Sequence, residues 1–593
     1  MFAVLNWFWM ILKSTLNAIA KVVMFFVLLF AVLFLVGLLQ GDGMDKKMVL
    51  ELDLRQPMAD KVASGPFDLG DRVSIMDVVL GLEAAERDPR VAGAFVRVGS
   101  GDLSVPQAEE LRDSLKRFRA AGKFVVAHSQ GFYSGGLGDY LVTGAADEIW
   151  MQPASSFFPA GTASGTVFLK GMLDKINAVP QFVQRHEYKN AANIFTEKDY
   201  TPAHREATTR LLQSWYDSAT GEMAADHKMD RSALIAFLDN SPTVVAEVKA
   251  KGLINSIGYD DDAREHALAR AGDNARVIQF PKFARVKRQL AAVLAGPKVA
   301  LIHAAGNIVE GKEGSSPFGS DVLIASDDFA KSIREASKDD SIKAIVLRVD
   351  SPGGSAVASD QILDALKKAH AKGKPIVVSM GSVAASGGYY ISLAADRIVA
   401  EPGTITGSIG AFSGKIAIGK SLELLGLEAK EIGVGKNALF ESGIEPWNQE
   451  QLAKMGEQID MIYNDFTKKV ADGRKLPLPK VQEIAKGRVW SGADAKEHGL
   501  VDELGGFWTA VSAAKKLANI PQDTRVSFVT YPKPKGWFAR FFQAFGETQA
   551  SVKAMQGIWA LIQASPVRAL LGAWQESDGR AQFRAVGLPG QAN

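Results

Sequence analysis

An internal duplication constrains this chain more than any other feature. Arg90–Val98 lies over Ser341–Val349 and Ala121–Val126 over Lys372–Val377, both at an offset of 251, which matches Lys123 to Lys374. Ala145–Ile149 matches Ala394–Ile398 at an offset of 249, and Lys251–Gly258 matches His498–Gly505 at 247. Four blocks in the same order with small drifts define two copies of one unit, and the period is far too long for a solenoid. Each copy alternates short apolar, β-rich runs with helical stretches, the pattern of a layered α/β domain with a mainly parallel sheet. The first copy is placed at 45–285 and the second at 296–525. The basic stretch Pro281–Gln289 leads into a junction near Gly296-Pro297.

The two copies differ where α/β folds build their sites. In the second, Ala344–Val349 runs into Asp350-Ser351-Pro352-Gly353-Gly354-Ser355, and Pro375–Met380 leads to Ala385-Ser386-Gly387-Gly388-Tyr389. Two neighbouring parallel strands would therefore bring a glycine loop and a serine at a helix N-terminus to the same sheet edge. Glycine N–H groups and a serine hydroxyl are an oxyanion hole and a nucleophile, the parts acyl transfer needs. The first copy has Gly99-Ser100-Gly101-Asp102 and Tyr133-Ser134-Gly135-Gly136 at these places, without the proline and paired glycines. The chemistry is assigned to the second copy.

A serine at neutral pH requires a base. Of the eight histidines, His370 sits in a charged helical run and His303 at the end of an apolar strand, so neither makes a convincing triad. A lysine serves if burial keeps it neutral. Lys189 and Lys436 occupy matching Lys-Asn-Ala segments of the two copies, offset by 247, and are the two candidates.

Composition bounds the partners. The 593-residue chain carries a formal charge of only +2, which argues against a phosphate-neutralising nucleic-acid partner. It has no cysteine, which excludes disulfides, a cysteine nucleophile and the usual structural zinc sites. Val22–Leu39 is an unbroken apolar run of 18 residues, long enough to span a bilayer, and no small-x-small cleavage site follows it. An uncleaved anchor is expected over residues 1–44. Lys13 and Lys21 before the span and Lys46, Lys47 and Arg55 after it leave its orientation open. At the other end, residues 532–593 include aromatics at 537, 538, 541, 542 and 545 on one helical face and a second amphipathic run at 552–571. Such stripes face a core, a membrane interface or another subunit.

The Asp-Ser-Pro-Gly-Gly-Ser loop, Ala384–Tyr390, Thr404–Gly410 and Gly487–Gly492 resemble the signal peptide peptidase A (protease IV) family, in its long, duplicated form. The resemblance implies a tandem duplication of a Clp protease/crotonase-like α/β domain behind one transmembrane helix. It implies a serine peptidase with a Ser–Lys dyad that degrades apolar signal peptides left after secretion. The catalytic domains would face the periplasm from the bacterial inner membrane as a homo-oligomer, a tetramer being favoured, in contact with membrane lipid. No cofactor or metal is implied. By motif, Ser386 becomes the nucleophile, Gly387 and Gly354 the oxyanion donors, and Ser408 the residue that orients the lysine. Lys189 matches the long form's base, in a Tyr-Lys-x-Ala motif of the first copy, while Lys436 matches the base position of the short form. A second site, with Ser134 as nucleophile, is the less favoured arrangement. Two other readings remain: a crotonase-like acyl-CoA enzyme, and an inactive scaffold that binds apolar peptides.

Overall fold

A computed structural model describes residues 43–61, 73–99, 103–133, 136–291, 296–312, 322–533 and 582–584. The expected span at 22–39, Ser134 and nearly all of the tail lie outside these residues. Among the described residues, no helix is long and apolar enough to cross a membrane.

Each copy forms a mainly parallel sheet, and the strand orders match over six strands; the second sheet adds Ile405–Gly407 beside Ile376–Ala385, with Val489–Ser491 antiparallel to it. In the first the order is Ser256–Ile257, Glu148–Met151, Phe124–Ser129, Val91–Val98, Met48–Asp53, Arg276–Gln279. In the second it is Glu503–Leu504, Arg397–Ala400, Ile376–Ala385, Ile342–Ser351, Lys298–Ala305, Ser527–Tyr531. The second sheet therefore closes on a strand beyond 525, the bound expected from sequence. At the junction, Phe280–Ala291 is helical and buries Phe280 and Phe283 in the first copy, so that copy extends past 285.

The repeat persists down to register and hydrogen bonds. Ala94 pairs with Val125 and, 251 residues on, Ile345 pairs with Ile376. Lys123 Nζ donates to the carbonyls of Asp88 and Val91 at 3.0 and 2.6 Å, and Lys374 Nζ donates to those of Asp339 and Ile342 at 3.0 and 2.7 Å. Val125 N–H donates to Asp147 at 2.8 Å, as Ile376 N–H does to Asp396 at 2.8 Å. The matched side chains thus satisfy backbone groups at strand starts that the ladder leaves unpaired.

The strands of the second sheet are apolar on both faces because both faces are covered. Val299, Leu301, Ala344 and Val346 point into a core shared with the first copy, whereas Ala300, Ile302, Ile345 and Leu347 pack on the second copy's own helices. A smaller sheet then stitches the copies together. Val179–Arg185 of the first pairs antiparallel with Ala411–Ala417 of the second over seven residue pairs, Val179 opposite Ala417 and Arg185 opposite Ala411. That ladder ends four residues before Lys189 and begins three after Ser408.

Candidate active site

Ser386 stands between the Ile376–Ala385 strand and the Gly387–Ser392 helix, in a turn with φ of 54° and ψ of −115°. A left-handed φ on a non-glycine residue costs roughly 1–3 kcal/mol and persists only when surrounding contacts hold it. Here Ser386 N–H donates to Gly407 O at 2.8 Å and Tyr390 N–H to Ser386 O at 2.8 Å. Gly388 follows because a Cβ there would lie 2.5 Å from Ser351 O. The turn exposes the Ser386 hydroxyl to the interior of the site while the residue as a whole is buried.

The Asp350–Ser355 loop comes alongside. Ser351 Oγ donates to Gly306 O at 2.6 Å and accepts from Gly353 N–H at 3.1 Å, which fixes the turn through Pro352. Asp350 accepts from Val383 N–H at 3.0 Å; burial, reinforced by the nearby Asp60 carboxylate, pushes its carboxyl up to about 7. Gly353 and Gly354 both take positive φ, 106° and 151°, and a Cβ on Gly354 would collide with Ile308 O at 2.0 Å. The two candidate donor segments are neighbours: a Cβ built on Gly387 would stand 3.2 Å from Gly354 N. Glycine at both places keeps the approach to these N–H groups open.

The first copy supplies the lysine. Lys189 Nζ lies 2.9 Å from Ser386 Oγ and donates to Ser408 O at 3.0 Å and Ser408 Oγ at 3.0 Å. Lys189 is 1% exposed, and burial alone brings its amine down to about 7. An amine near neutral at physiological pH, in contact with a buried hydroxyl, can take that hydroxyl's proton; as an ammonium it retains the two Ser408 oxygens as acceptors. Ser408 also has a left-handed φ of 49°, and its N–H donates to Arg488 O at 2.7 Å.

The structure brings Lys189, Ser386, Ser408, Gly354 and Gly387 together and leaves Lys436 out. Lys436 is exposed, and its Nζ pairs with Glu450 Oε1 at 2.6 Å. The histidines stand elsewhere: His303 is half-buried, and its loss of solvent pushes it down to about 4, and His370 pairs with Asp396 at 2.9 Å on the surface. What sequence reasoning missed is the set of contacts around Gly487–Ser491 and the Arg348 cluster. Arg348 matches Arg97 in the repeat, which flags the position but not its partners.

Comparison with known proteins gives the family. The sequence profile for peptidase family S49 matches residues 117–273 and 368–521, once in each copy, and that for Clp protease matches 325–402. "Serine protease SPPA, chloroplastic" from Arabidopsis thaliana is 30% identical over 521 residues, covering 86% of this chain and 76% of the relative. "Protease 4" from Salmonella typhi is 30% identical over 552 residues, 87% of this chain and 86% of the relative. "Putative signal peptide peptidase SppA" from Enterococcus faecium is 32% identical over 200 residues, 34% of this chain and 58% of the relative. The acyl-CoA and scaffold readings give way to a peptidase. The duplicated α/β chain is a serine peptidase and belongs to peptidase family S49.

Proposed function

We propose that the peptidase works by a Ser386–Lys189 dyad assembled across the two copies, and that its substrates are apolar signal peptides left after secretion. The observation that carries this reading is the 2.9 Å approach of a buried Lys189 amine, held near neutral, to Ser386 Oγ. Neutral Lys189 takes the Ser386 proton as Oγ attacks the scissile carbonyl carbon. The carbonyl oxygen becomes an oxyanion facing the N–H groups of Gly354 and Gly387, where fixed dipoles stabilise developing charge. Lys189, now an ammonium held by Ser408, returns the proton to the departing amine. An acyl-enzyme on Ser386 remains, and Lys189 activates a water to hydrolyse it. Lys436 has no part in these steps.

An extended peptide fits the same place. The backbone of Gln582–Arg584 lies antiparallel to Gly353–Ser355, with Phe583 opposite Gly354, and bridges to Phe412 on the other side. The slot beside the oxyanion loop therefore has open strand edges on both flanks, as β-augmentation by a peptide requires. The substrate class follows the name of the Enterococcus faecium relative and the apolar run at 22–39, which in this reading anchors the chain in the bacterial inner membrane with its catalytic copies on the periplasmic side. The working form in this reading is a homo-oligomer, a tetramer, lying against membrane lipid.

The test is hydrolysis of a synthetic apolar signal peptide by the purified full chain in detergent micelles, against a polar peptide of equal length. Wild type should cleave the apolar peptide preferentially, and Ser386→Ala should lower kcat by on the order of 10³-fold or more. Equal rates on both peptides would remove the substrate assignment. Equal rates for wild type and Ser386→Ala would remove the nucleophile.

A further inference from the structure

The Gly487–Gly492 motif is not consumed by the chemistry above, yet it touches both Lys189 and the Ser408 turn that accepts from the lysine. Gly487 has φ of 80°, and a Cβ there would lie 2.6 Å from Lys189 Cβ, 2.7 Å from its Cα and 2.7 Å from its N. The Lys189 backbone is thus seated directly on Gly487. The next residue holds the Ser408 turn, since Arg488 O accepts from Ser408 N–H at 2.7 Å, while Gly487 N–H donates to Ile409 O at 2.8 Å.

The Arg488 side chain reaches back to the first copy. Its guanidinium lies 4.9 Å from the Tyr188 ring centroid and 4.3 Å from that of Trp490, and it forks onto both oxygens of Glu206. The guanidinium holds the Glu206 carboxyl below the usual carboxylate range. Arg488 is 13% exposed at its side chain, whereas Glu206 is 50% exposed. Glu206 begins one face of the long Pro202–Asp226 helix of the first copy. Residues four apart on that face continue the contact, because side chains at this spacing share one side of a helix. Arg210 Nη2 donates to Asp494 Oδ1 at 2.5 Å, and Ser214 Oγ donates to Ser491 Oγ at 2.7 Å.

We infer that Arg488 is a positioning residue for the dyad, a latch that clamps the Tyr188-Lys189 turn of the first copy onto the Ser408 turn of the second. The inference rests on the Ser386–Lys189 reading. Two segments 197 residues apart must meet to within a hydrogen bond, and the Val179–Arg185 ladder stops short of Lys189. A planar guanidinium set against two rings and bidentate on a carboxylate fixes direction as well as distance, which a lysine cannot do. Tyr188 precedes Lys189 directly, so the same clamp holds the turn in which the Lys189 amine is buried.

The test uses the full chain, measuring kcat, KM and the pH profile of kcat/KM for Arg488→Met, Arg488→Lys and Glu206→Gln. Arg488→Met should lower kcat by roughly 10–100-fold, the scale of an ångström-sized misplacement. KM should stay within about twofold, because the latch touches no part of the peptide slot. Water admitted to the amine should move the acidic limb of the profile upward by about half a unit or more. Arg488→Lys should not restore either property. Glu206→Gln, on a half-exposed side chain that folding tolerates, should move the limb in the same direction by less. A merely structural loss lowers the amount of active enzyme without moving the limb, so an unmoved limb in Arg488→Met and Glu206→Gln overturns the latch. Lys189→Ala in the same assay keeps the two questions apart: if it is inactive while the limb is unmoved, only the latch falls, and if it is active the dyad falls with it.

Discussion

Lys189→Ala should lower kcat for an apolar peptide by on the order of 10²–10⁴-fold, the usual contribution of a general base, while Lys436→Ala retains the wild-type rate. The contrast comes from where each amine sits. Lys189 is buried against Ser386 and Ser408, and its proton affinity is lowered to about 7, so a large share of it is neutral at physiological pH. Lys436 is exposed and ion-paired with Glu450. Lys189→Met, which keeps most of the side-chain volume, separates lost chemistry from lost structure. It should be as inactive as the alanine variant yet melt no lower than wild type in a thermal scan. Burying an amine that prefers water works against the fold, and removing it relieves that cost at the expense of function. Equal loss in Lys436→Ala would instead point to a self-contained second copy.

Arg348→Met should be the most damaging single change to stability, by roughly 3–5 kcal/mol in chemical denaturation. Arg348 is 2% exposed at its side chain. Its Nη2 donates to Asp60 at 2.7 Å and its Nη1 to Glu110 at 2.7 Å, both acceptors belonging to the first copy and both buried. Burial alone would pull the guanidinium down, and the two carboxylates more than reverse this, leaving it raised. Removing the cation strands two carboxylates in an interior with no compensating charge, a larger penalty than the pair's own net worth. The same reasoning predicts a rescue. Adding Asp60→Asn and Glu110→Gln to Arg348→Met should recover more than half of the loss, since neutral amides tolerate that site better. A loss below about 1 kcal/mol for Arg348→Met would mean that the copies are not held together through this cluster.

Much of this architecture is legible from the repeat because the matched residues do local work. Lys123 and Lys374 cap equivalent carbonyls, Asp147 and Asp396 accept from equivalent strand N–H groups, and both needs follow from one copy's own backbone. The glycines of the Asp350–Ser355 loop are legible for the same reason, since a collision such as that between a Gly354 Cβ and Ile308 O is enforced within the second copy. What joins the copies is less visible. The Val179–Arg185 ladder, Arg348 with Asp60, and Arg488 with Glu206 are each made between segments far apart in sequence, where no periodicity links them. The last strand and helix of each unit lie beyond the last matched block, so the repeat alone does not mark where a copy ends. The motifs single out Ser386 and both lysines, but which lysine stands beside the serine is visible only in the fold.

The claim that one copy's lysine serves the other copy's serine is tested most directly by the rate of fluorophosphonate attachment to Ser386 as a function of pH, in wild type and in Lys189→Ala. The account predicts that wild-type labelling rises through a single ionisation near about 7, because only the neutral amine accepts the serine proton, and that Lys189→Ala loses this limb and labels slowly throughout. An unchanged limb in Lys189→Ala would contradict it and leave the base to be found elsewhere.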